Sequence, residues 1–221
     1  MFKIENLSKI YSSPHGTVHA LDNITLTIER GSFVSITGGS GSGKTTLLLA
    51  LGGLNHPSRG SVIYDGKDIY SLPEPALAEY RNKRVGFVLQ TFNLVPYLTA
   101  LENVMLPMLF NSERNGNARQ SAEGLLQKLS LEPRKEHLPR ELSVGQQQRV
   151  AIARALANNP DVILADEPTG NLDPSLSEEI LDILESLHRE EKKTVVIVTH
   201  SPAAAKRAER IIRLNNGAIE I

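Results

Sequence analysis

Cysteine and tryptophan are both missing from this chain of 221 residues. Without cysteine, the chain can contain no disulfide framework, zinc finger, iron–sulfur cluster or thiol nucleophile. An excess of either charge is missing as well, because 24 lysines and arginines stand against 25 aspartates and glutamates. Proteins that bind nucleic acid usually carry a strong basic excess, which displaces counterions from the phosphates. We therefore expect no nucleic-acid partner.

Long hydrophobic runs are also missing. A membrane span needs about 20 consecutive apolar residues, and the densest apolar stretches, residues 47–54 and 195–198, are far shorter. The first residues, MFKIENLSKIYSS, show no apolar segment typical of a signal peptide. The length fits one bilobed unit with a full core. The composition predicts a single soluble, cytoplasmic unit over residues 1–221, without an anchor of its own.

Alternating elements in the last third of the chain predict an α/β fold. Residues 195–198, Val-Val-Ile-Val, are apolar on both faces, as in a central strand of a parallel sheet covered by helices. The predicted strands are residues 3–11, 18–29, 33–37, 60–65, 84–90, 162–165, 194–199, 210–214 and 218–221. The predicted helices are residues 44–54, 175–191 and 202–208, and helical signals dominate residues 99–158, with breaks at 115–117 and 133. We expect a core of residues 1–90 and 159–221 around a helical lobe of residues 91–158.

A glycine-rich loop lies between a predicted strand and a predicted helix. It matches G-x-x-x-x-G-K-[ST] with Gly38, Gly39, Ser40, Gly41, Ser42, Gly43, Lys44 and Thr45. Backbone N–H groups of such a loop surround phosphate oxygens, and the N-terminus of the following helix adds positive potential. Lys44 would reach the β- and γ-phosphates, the Thr45 hydroxyl would bind Mg²⁺, and Thr46 is placed to donate to the α-phosphate. The loop therefore predicts a site for a nucleotide and Mg²⁺.

Two carboxylates follow the apolar strand at residues 162–165. Ligands of doubly wound sheets bind at the carboxyl ends of the strands. Asp166 would therefore hold Mg²⁺ through its water shell, as in other phosphate-loop enzymes. Glu167 points another way and could polarise an attacking water. The alternative is that both carboxylates only mark the exit of the strand.

A second anion site is predicted at the start of a helix near residue 144. Ser143 reads as its N-cap, and Gln146 three residues later completes a capping box. This structural role holds whatever the function. The hydroxyl, the exposed N–H groups and the helix dipole also favour an anion at this point.

With these motifs the chain resembles the ATP-binding-cassette (ABC) ATPases, whose signature is usually Leu-Ser-Gly-Gly-Gln. The resemblance covers essentially the whole chain. It rests on the glycine-rich loop, the acidic strand end and Leu142-Ser143-Val144-Gly145-Gln146, joined by Tyr11, Gln90 in VGFVLQ, Asn171-Leu172-Asp173 and His200 after VVIVT. The resemblance implies a P-loop NTPase (RecA-like) parallel-sheet core with an antiparallel β subdomain and an inserted α-helical subdomain.

The resemblance also implies the role of each site residue. Tyr11 would stack on adenine, Lys44 would neutralise charge, Glu167 would activate water and His200 would contact the γ-phosphate. Gln90 would sense the nucleotide and link it to the helical lobe. The residues implied to bind Mg²⁺ are Thr45, Gln90 and Asp166. Those implied to bind ATP from the signature and the following D-loop are Ser143, Gly145, Gln146 and Asp173.

One residue departs from the family pattern. Val144 stands where the family has the first signature glycine. Valine does not adopt a positive φ cheaply, and its branched side chain needs room. We expect weaker closure around ATP than in relatives.

The resemblance implies two kinds of partner. A second copy would pair head to tail, so that each ATP lies between the phosphate loop of one chain and Ser143–Gln146 of the other. A membrane permease would use the energy, and the chain would sit on the cytoplasmic face of the inner membrane. Residues 91–98 form either buried core or part of a groove for a permease helix.

The segments FNLVPYLTALENVMLP and LADEPTGNLD resemble the bacterial group that serves lipoprotein release, macrolide-type export and antimicrobial-peptide resistance. The alternative within the family is a cassette that transmits force through a membrane partner, as in cell division. A soluble cassette of DNA repair or translation usually has a coiled-coil insertion or a second cassette, and neither is visible. A simple phosphate-loop kinase is disfavoured by residues 143–149 and His200.

Overall fold

The chain folds around two β-sheets. The computed structural model describes residues 1–14, 16–111 and 116–220. The strands are β1 (Phe2–Ser13), β2 (Gly16–Ile28), β3 (Phe33–Thr37), β4 (Arg59–Tyr64), β5 (Lys67–Asp68), β6 (Val85–Val88), β7 (Val162–Asp166), β8 (Thr194–Val198), β9 (Arg210–Asn215) and β10 (Ala218–Ile219). The helices are α1 (Lys44–Leu51), α2 (Glu74–Arg84), α3 (Ala100–Met105), α4 (Ala118–Lys128), α5 (Val144–Leu156), α6 (Pro174–Arg189) and α7 (Pro202–Ala205).

The larger sheet has six strands in the order β10-β9-β3-β8-β7-β6. The strands from β9 to β6 are parallel to one another, and β10 runs antiparallel to β9. Every residue of β8 is buried. Val195 and Ile197 belong to one apolar cluster, whereas Val196 and Val198 belong to the other. A central strand covered on both faces requires this composition, so the interpretation of Val-Val-Ile-Val is confirmed.

Each face of the six-stranded sheet carries its own layer. On one face the cluster includes buried side chains of α3, α4, α5 and α6. On the other face it includes α1, α2 and the smaller sheet. The smaller sheet is antiparallel, with the order β2-β1-β4-β5. The expected parallel core with an antiparallel β subdomain is therefore confirmed.

The predicted strands agree with the structure to within a few residues, but the two-residue strand β5 and one helix were missed. Helix α2 occupies residues for which no element was predicted. Only Leu77 and Tyr80 of its residues are buried, and Pro73 and Pro75 flank its start. So few apolar positions give little helical periodicity. Residue 221 of the predicted strand 218–221, and residue 115 of the predicted break, lie outside the described residues.

Between β6 and β7 the described residues form helices and turns but no strand. Thr99 and Glu102 form a capping box at the start of α3. The fully buried Asn103 fixes the preceding loop, because its Oδ1 accepts from Val95 N at 2.7 Å and its Nδ2 donates to the Leu98 carbonyl at 3.0 Å. The division into a core and a lobe at residues 90 and 159 stays a prediction.

No helix in the described part of the chain is long and apolar enough to cross a lipid bilayer.

Candidate active site

The glycine-rich loop joins β3 to α1 at the carboxyl end of the parallel strands. Its backbone approaches neighbouring strands too closely for a side chain at two positions. A Cβ on Gly38 would lie 2.2 Å from the Leu214 carbonyl oxygen, and one on Gly43, where φ is 100°, would lie 2.2 Å from the Ala20 carbonyl oxygen. Only glycine meets both demands. The loop is therefore fixed against β9 and β2 while its other side stays open.

Lys44 is held across this loop. Its Nζ donates to the carbonyl oxygens of Gly38 at 2.9 Å and Gly39 at 2.8 Å. The ammonium group therefore lies over the concave side of the loop. A phosphate bound to the loop would meet this cation directly, and the mobile donors of Lys44 could turn from the carbonyls to phosphate oxygens.

Thr45 and Asp166 meet at the base of the loop. The Thr45 hydroxyl donates to Asp166 Oδ1 at 3.1 Å, across 121 positions of sequence. The pKa of Asp166 is raised, chiefly by burial. The charge of Glu167 raises it further, whereas the hydrogen bond from Thr45 and the charge of Lys44 lower it. A hydroxyl and a carboxylate are hard oxygen donors of the kind that Mg²⁺ prefers. These two side chains fit a Mg²⁺ site completed by water and phosphate.

Glu167 and His200 form an ion-pair contact at the ends of β7 and β8. His200 Nδ1 lies 2.9 Å from Glu167 Oε1. The Glu167 backbone has a left-handed φ of 46°, and its N–H donates to the Val198 carbonyl at 2.9 Å. Non-glycine residues rarely adopt this conformation, and such strain clusters at functional sites. The turn brings the Glu167 carboxylate against His200, and its direction relative to Asp166 stays a prediction.

Gln90 lies exposed beside the turn that follows Glu167. Its carbonyl accepts from Asn171 Nδ2 at 3.1 Å, and its Nε2 would lie 3.3 Å from a Cβ on Gly170. Gln90 therefore lies against Gly170 and Asn171, in the turn that follows Glu167. No contact within the described residues joins Gln90 to Thr45 or Asp166, so its binding of Mg²⁺ stays a prediction.

Helix α5 begins at the predicted capping box. Gln146 N donates to Ser143 Oγ at 3.3 Å, and Ser143 N donates to Gln146 Oε1 at 3.0 Å. Val144 is the first helical residue, its φ is not positive, and its side chain is 45% exposed. The expected difficulty of placing valine at a positive φ therefore does not arise in this chain. Gly145 is packed closely instead, since a Cβ there would lie 2.9 Å from Leu176 Cδ2.

The remaining predicted ligands lie in three places. Tyr11 of β1 is 45% exposed, accepts from Asn55 Nδ2 at 2.6 Å and has Lys9 Nζ 5.1 Å from its ring centroid. Thr46 lies in the first turn of α1, beside Thr45. Asp173 is the N-cap of α6 and accepts from Leu176 N at 3.0 Å. Their contacts with ATP stay predictions.

The site therefore divides into two groups. One group lies along the carboxyl ends of β3, β7 and β8 and consists of the loop, Thr45, Asp166, Glu167 and His200. Within the described ranges, no hydrogen bond or ion pair links Ser143, Gly145 or Gln146 to that group. The residues implied to bind ATP thus fall into two groups of one chain, and their binding of phosphate stays a prediction.

The structure also shows a cavity that sequence reasoning missed. It has a volume of about 860 Å³, and its lining includes Leu54, Phe87, Leu89, Pro107, Phe110 and Arg154. The Arg154 guanidinium donates to the carbonyls of Phe92 at 2.6 Å and Asn93 at 2.5 Å, just after Gln90. Burial lowers the pKa of Arg154. No motif pointed to this cavity because its lining comes from distant segments.

The predicted groove segment adjoins that cavity. None of residues 91–98 is buried, and Tyr97 is 78% exposed. The reading of this segment as buried core is therefore wrong. Phe110, which lines the cavity, is equally exposed. Exposed aromatic side chains beside a cavity are typical of a surface that binds another protein.

These features define a P-loop nucleoside triphosphatase: a parallel sheet, a phosphate loop after one of its strands, and the pair Thr45 and Asp166, which is compatible with Mg²⁺. The family model described as ABC transporter matches residues 21–170. The chain belongs to the ABC transporter family.

Similar proteins match along the whole chain. The uncharacterized ABC transporter ATP-binding protein MJ0796 of Methanocaldococcus jannaschii is 47% identical, over 100% of this chain and 95% of that protein. The lipoprotein-releasing system ATP-binding protein LolD of Syntrophus aciditrophicus is 44% identical, over 99% of this chain and 98% of that protein. The macrolide export ATP-binding/permease protein MacB of Syntrophobacter fumaroxidans is also 44% identical, over 100% of this chain and 31% of that protein.

Two solved structures of the cassette MJ0796 share the fold, each at 46% identity over 100% of this chain and 97% of that chain. The TM-score is 0.92 for a dimeric structure and 0.93 for a dimeric post-hydrolysis state bound to ADP and Pi.

Proposed function

We propose that this chain is an ATPase that works as a head-to-tail pair of copies and powers a membrane permease. The observation that carries the proposal is that, within the described residues, no hydrogen bond or ion pair links Ser143 or Gln146 to the phosphate loop. Each anion half-site lacks its complement, and a second copy supplies it. The dimeric structures of MJ0796, one of them with ADP and Pi, support both the pairing and the hydrolysis.

We propose the following roles for residues of this chain in hydrolysis. The loop N–H groups and Lys44 bind the β- and γ-phosphates and stabilise the charge that develops there. Glu167 orients the attacking water and takes its proton on a carboxylate oxygen. His200 holds that carboxylate through Nδ1 at 2.9 Å, and we propose that its exposed ring contacts the γ-phosphate. Mg²⁺, held by Thr45 and Asp166, would neutralise phosphate charge.

The permease is the proposed source of specificity. LolD and MacB are named for lipoprotein release and macrolide export. We propose that the cavity beside Gln90 binds a permease segment, and that the substrate is a lipoprotein, a drug or a peptide. The chain would then lie on the cytoplasmic face of the membrane. The relatives are transport subunits, so the comparisons favour transport over the force-transmitting alternative.

Replacement of Glu167 tests the proposal. In Glu167→Gln the amide cannot accept the proton, whereas the loop and Ser143 are untouched. We expect hydrolysis to fall at least about 100-fold while ATP still binds and drives two copies together. Size-exclusion chromatography with and without ATP measures the pairing. Near-normal turnover, or a variant that stays monomeric at saturating ATP, would contradict the proposal.

A further inference from the structure

Gln148 of α5 joins that helix to the turn that carries the catalytic carboxylate. Its side chain is fully buried, and its Nε2 donates to the Pro168 carbonyl at 2.7 Å. Only the amino end of an amide side chain can donate to a carbonyl, so its orientation is fixed by chemistry. Gln148 thus binds the backbone one residue after Glu167.

The other end of this amide has no partner. Gln148 Oε1 is buried and makes no hydrogen bond within the described residues. A buried carbonyl without a donor costs free energy, whereas an apolar side chain of similar shape would not. The bond to Pro168 is therefore the only polar contact shown for this amide. This bond therefore ties any movement of the buried Gln148 side chain to the Pro168 carbonyl.

The turn at Glu167 is held from two sides. Glu167 is strained, with its φ of 46°, and its N–H is bonded to β8 through Val198. The bond from Gln148 fixes the next carbonyl along the chain. The direction of the Glu167 side chain depends on both attachments. A shift of α5 relative to β8 would therefore turn the carboxylate.

Helix α5 also contacts the chain beyond this turn. Gly145 packs against Leu176 in the first turn of α6, and Arg149 is ion-paired with Glu179. The start of α5 carries Ser143, which in the proposed pair meets the ATP of the other copy. One rigid helix therefore spans the distance between an ATP held by the partner and the carboxylate of its own site.

We propose that Gln148 is a positioning residue that couples the two ATP sites of the pair. When the partner's ATP draws in the start of α5, Gln148 pulls the Pro168 carbonyl and sets Glu167 for proton transfer. This inference rests on the proposed pairing of two copies. In this proposal Gln148, which does not itself contact ATP, controls when each Glu167 carboxylate is in position to accept a proton.

Gln148→Met keeps the length and volume of the side chain and removes the donor. We expect kcat to fall about tenfold, which corresponds to the loss of one well-placed hydrogen bond, while KM for ATP stays within about twofold. The Hill coefficient for ATP should fall from near 2, the limit for two sites, to near 1. Steady-state hydrolysis across a range of ATP concentrations measures all three quantities.

Gln148→Glu supplies a readout that a packing defect would not give. The protonated carboxyl can donate its O–H to the Pro168 carbonyl, whereas the carboxylate cannot. Burial and the nearby Glu167 charge both favour the protonated form. We expect the ratio of its kcat to that of the unmodified chain to rise as the pH is lowered from 8 to 6. The ratio cancels effects of pH that are common to both proteins.

Gln147→Met is the matched control, because Gln147 Nε2 bonds only the nearby Leu142 carbonyl, at 3.1 Å. It should keep the kcat and Hill coefficient of the unmodified chain. A Hill coefficient that stays near 2 in Gln148→Met, or a flat pH ratio in Gln148→Glu, overturns the coupling role alone. An unmodified chain that hydrolyses ATP without cooperativity and without pairing overturns the proposed function, and the coupling with it.

Discussion

Both carboxylate oxygens of Glu167 are held by one residue, His200. His200 Nδ1 lies 2.9 Å from Oε1, and the His200 backbone N–H donates to Oε2 at 3.3 Å. The carboxylate is mostly buried, whereas the imidazole is largely exposed at the edge of the site. His200 therefore fixes the orientation of the base while its own ring stays available to the nucleotide.

Removal of the imidazole should release the base. In His200→Ala the backbone donor remains, but Oε1 loses its partner and Glu167 can rotate. We expect kcat to fall roughly 100-fold, with ATP affinity changed by less than about threefold because the phosphate loop is intact. Single-turnover hydrolysis and fluorescent-nucleotide titration measure the two effects. Equal losses of affinity and rate would place His200 in ATP binding instead.

We expect the ionised Asp166 side chain to lower the stability of the folded, nucleotide-free chain. Burial raises its pKa in the folded state, so the ionised form is disfavoured there more than in the unfolded chain. Asp166→Asn removes this charge and should raise the Tm at pH 7 to 8. The difference should vanish by about pH 3, where Asp166, with an ordinary pKa of about 3.9, is mostly protonated in both states. Thermal unfolding without Mg²⁺ across this pH range is the measurement.

The same variant should lose Mg²⁺-dependent activity, because asparagine brings no negative charge to the cation. A Tm that falls at pH 7, or a difference that persists at pH 3, would show that the Thr45 bond outweighs burial.

Two glycines of the phosphate loop, Gly39 and Gly43, should respond differently to replacement by alanine. Gly43→Ala places a Cβ 2.2 Å from the Ala20 carbonyl oxygen at a left-handed φ, whereas a Cβ on Gly39 meets nothing within 4 Å. We expect Gly43→Ala to lower the free energy of unfolding by about 2 to 4 kcal/mol. Gly39→Ala should change it by less than about 0.5 kcal/mol. Urea denaturation of the nucleotide-free chain compares them, and equal losses would contradict the close approach to β2.

Val144 should not limit the rate, although it departs from the family signature. Its backbone is helical and its side chain exposed, so glycine would relieve no strain. We expect Val144→Gly to keep kcat within about threefold and to cost less than about 1 kcal/mol of stability. ATPase assays with a urea titration check both. A tenfold rise in kcat would show that the side chain hinders closure between copies.

The sequence was sufficient where function depends on residues close together in the chain. The glycine-rich loop, the pair Asp166 and Glu167, and the capping box of Ser143 are local patterns, and each has the expected local structure. Helix α2 was missed because its stability comes from packing of Leu77 and Tyr80, not from periodicity. The start of α5 needs no positive φ at Val144, and the effect of its side chain on closure around ATP stays a prediction.

By itself, the sequence determined the chemistry of this protein: a phosphate loop, two carboxylates, a histidine and an anion-binding helix start, arranged in an α/β order. Only the tertiary structure decided which groups work together. It places Thr45 against Asp166 and His200 against Glu167 across long stretches of chain, keeps Ser143 apart from them, and ties Gln148 to Pro168. The physical reason is that parallel strands gather distant residues at one edge of the sheet. Contacts between helices and loops depend on packing, which no local pattern of residues specifies.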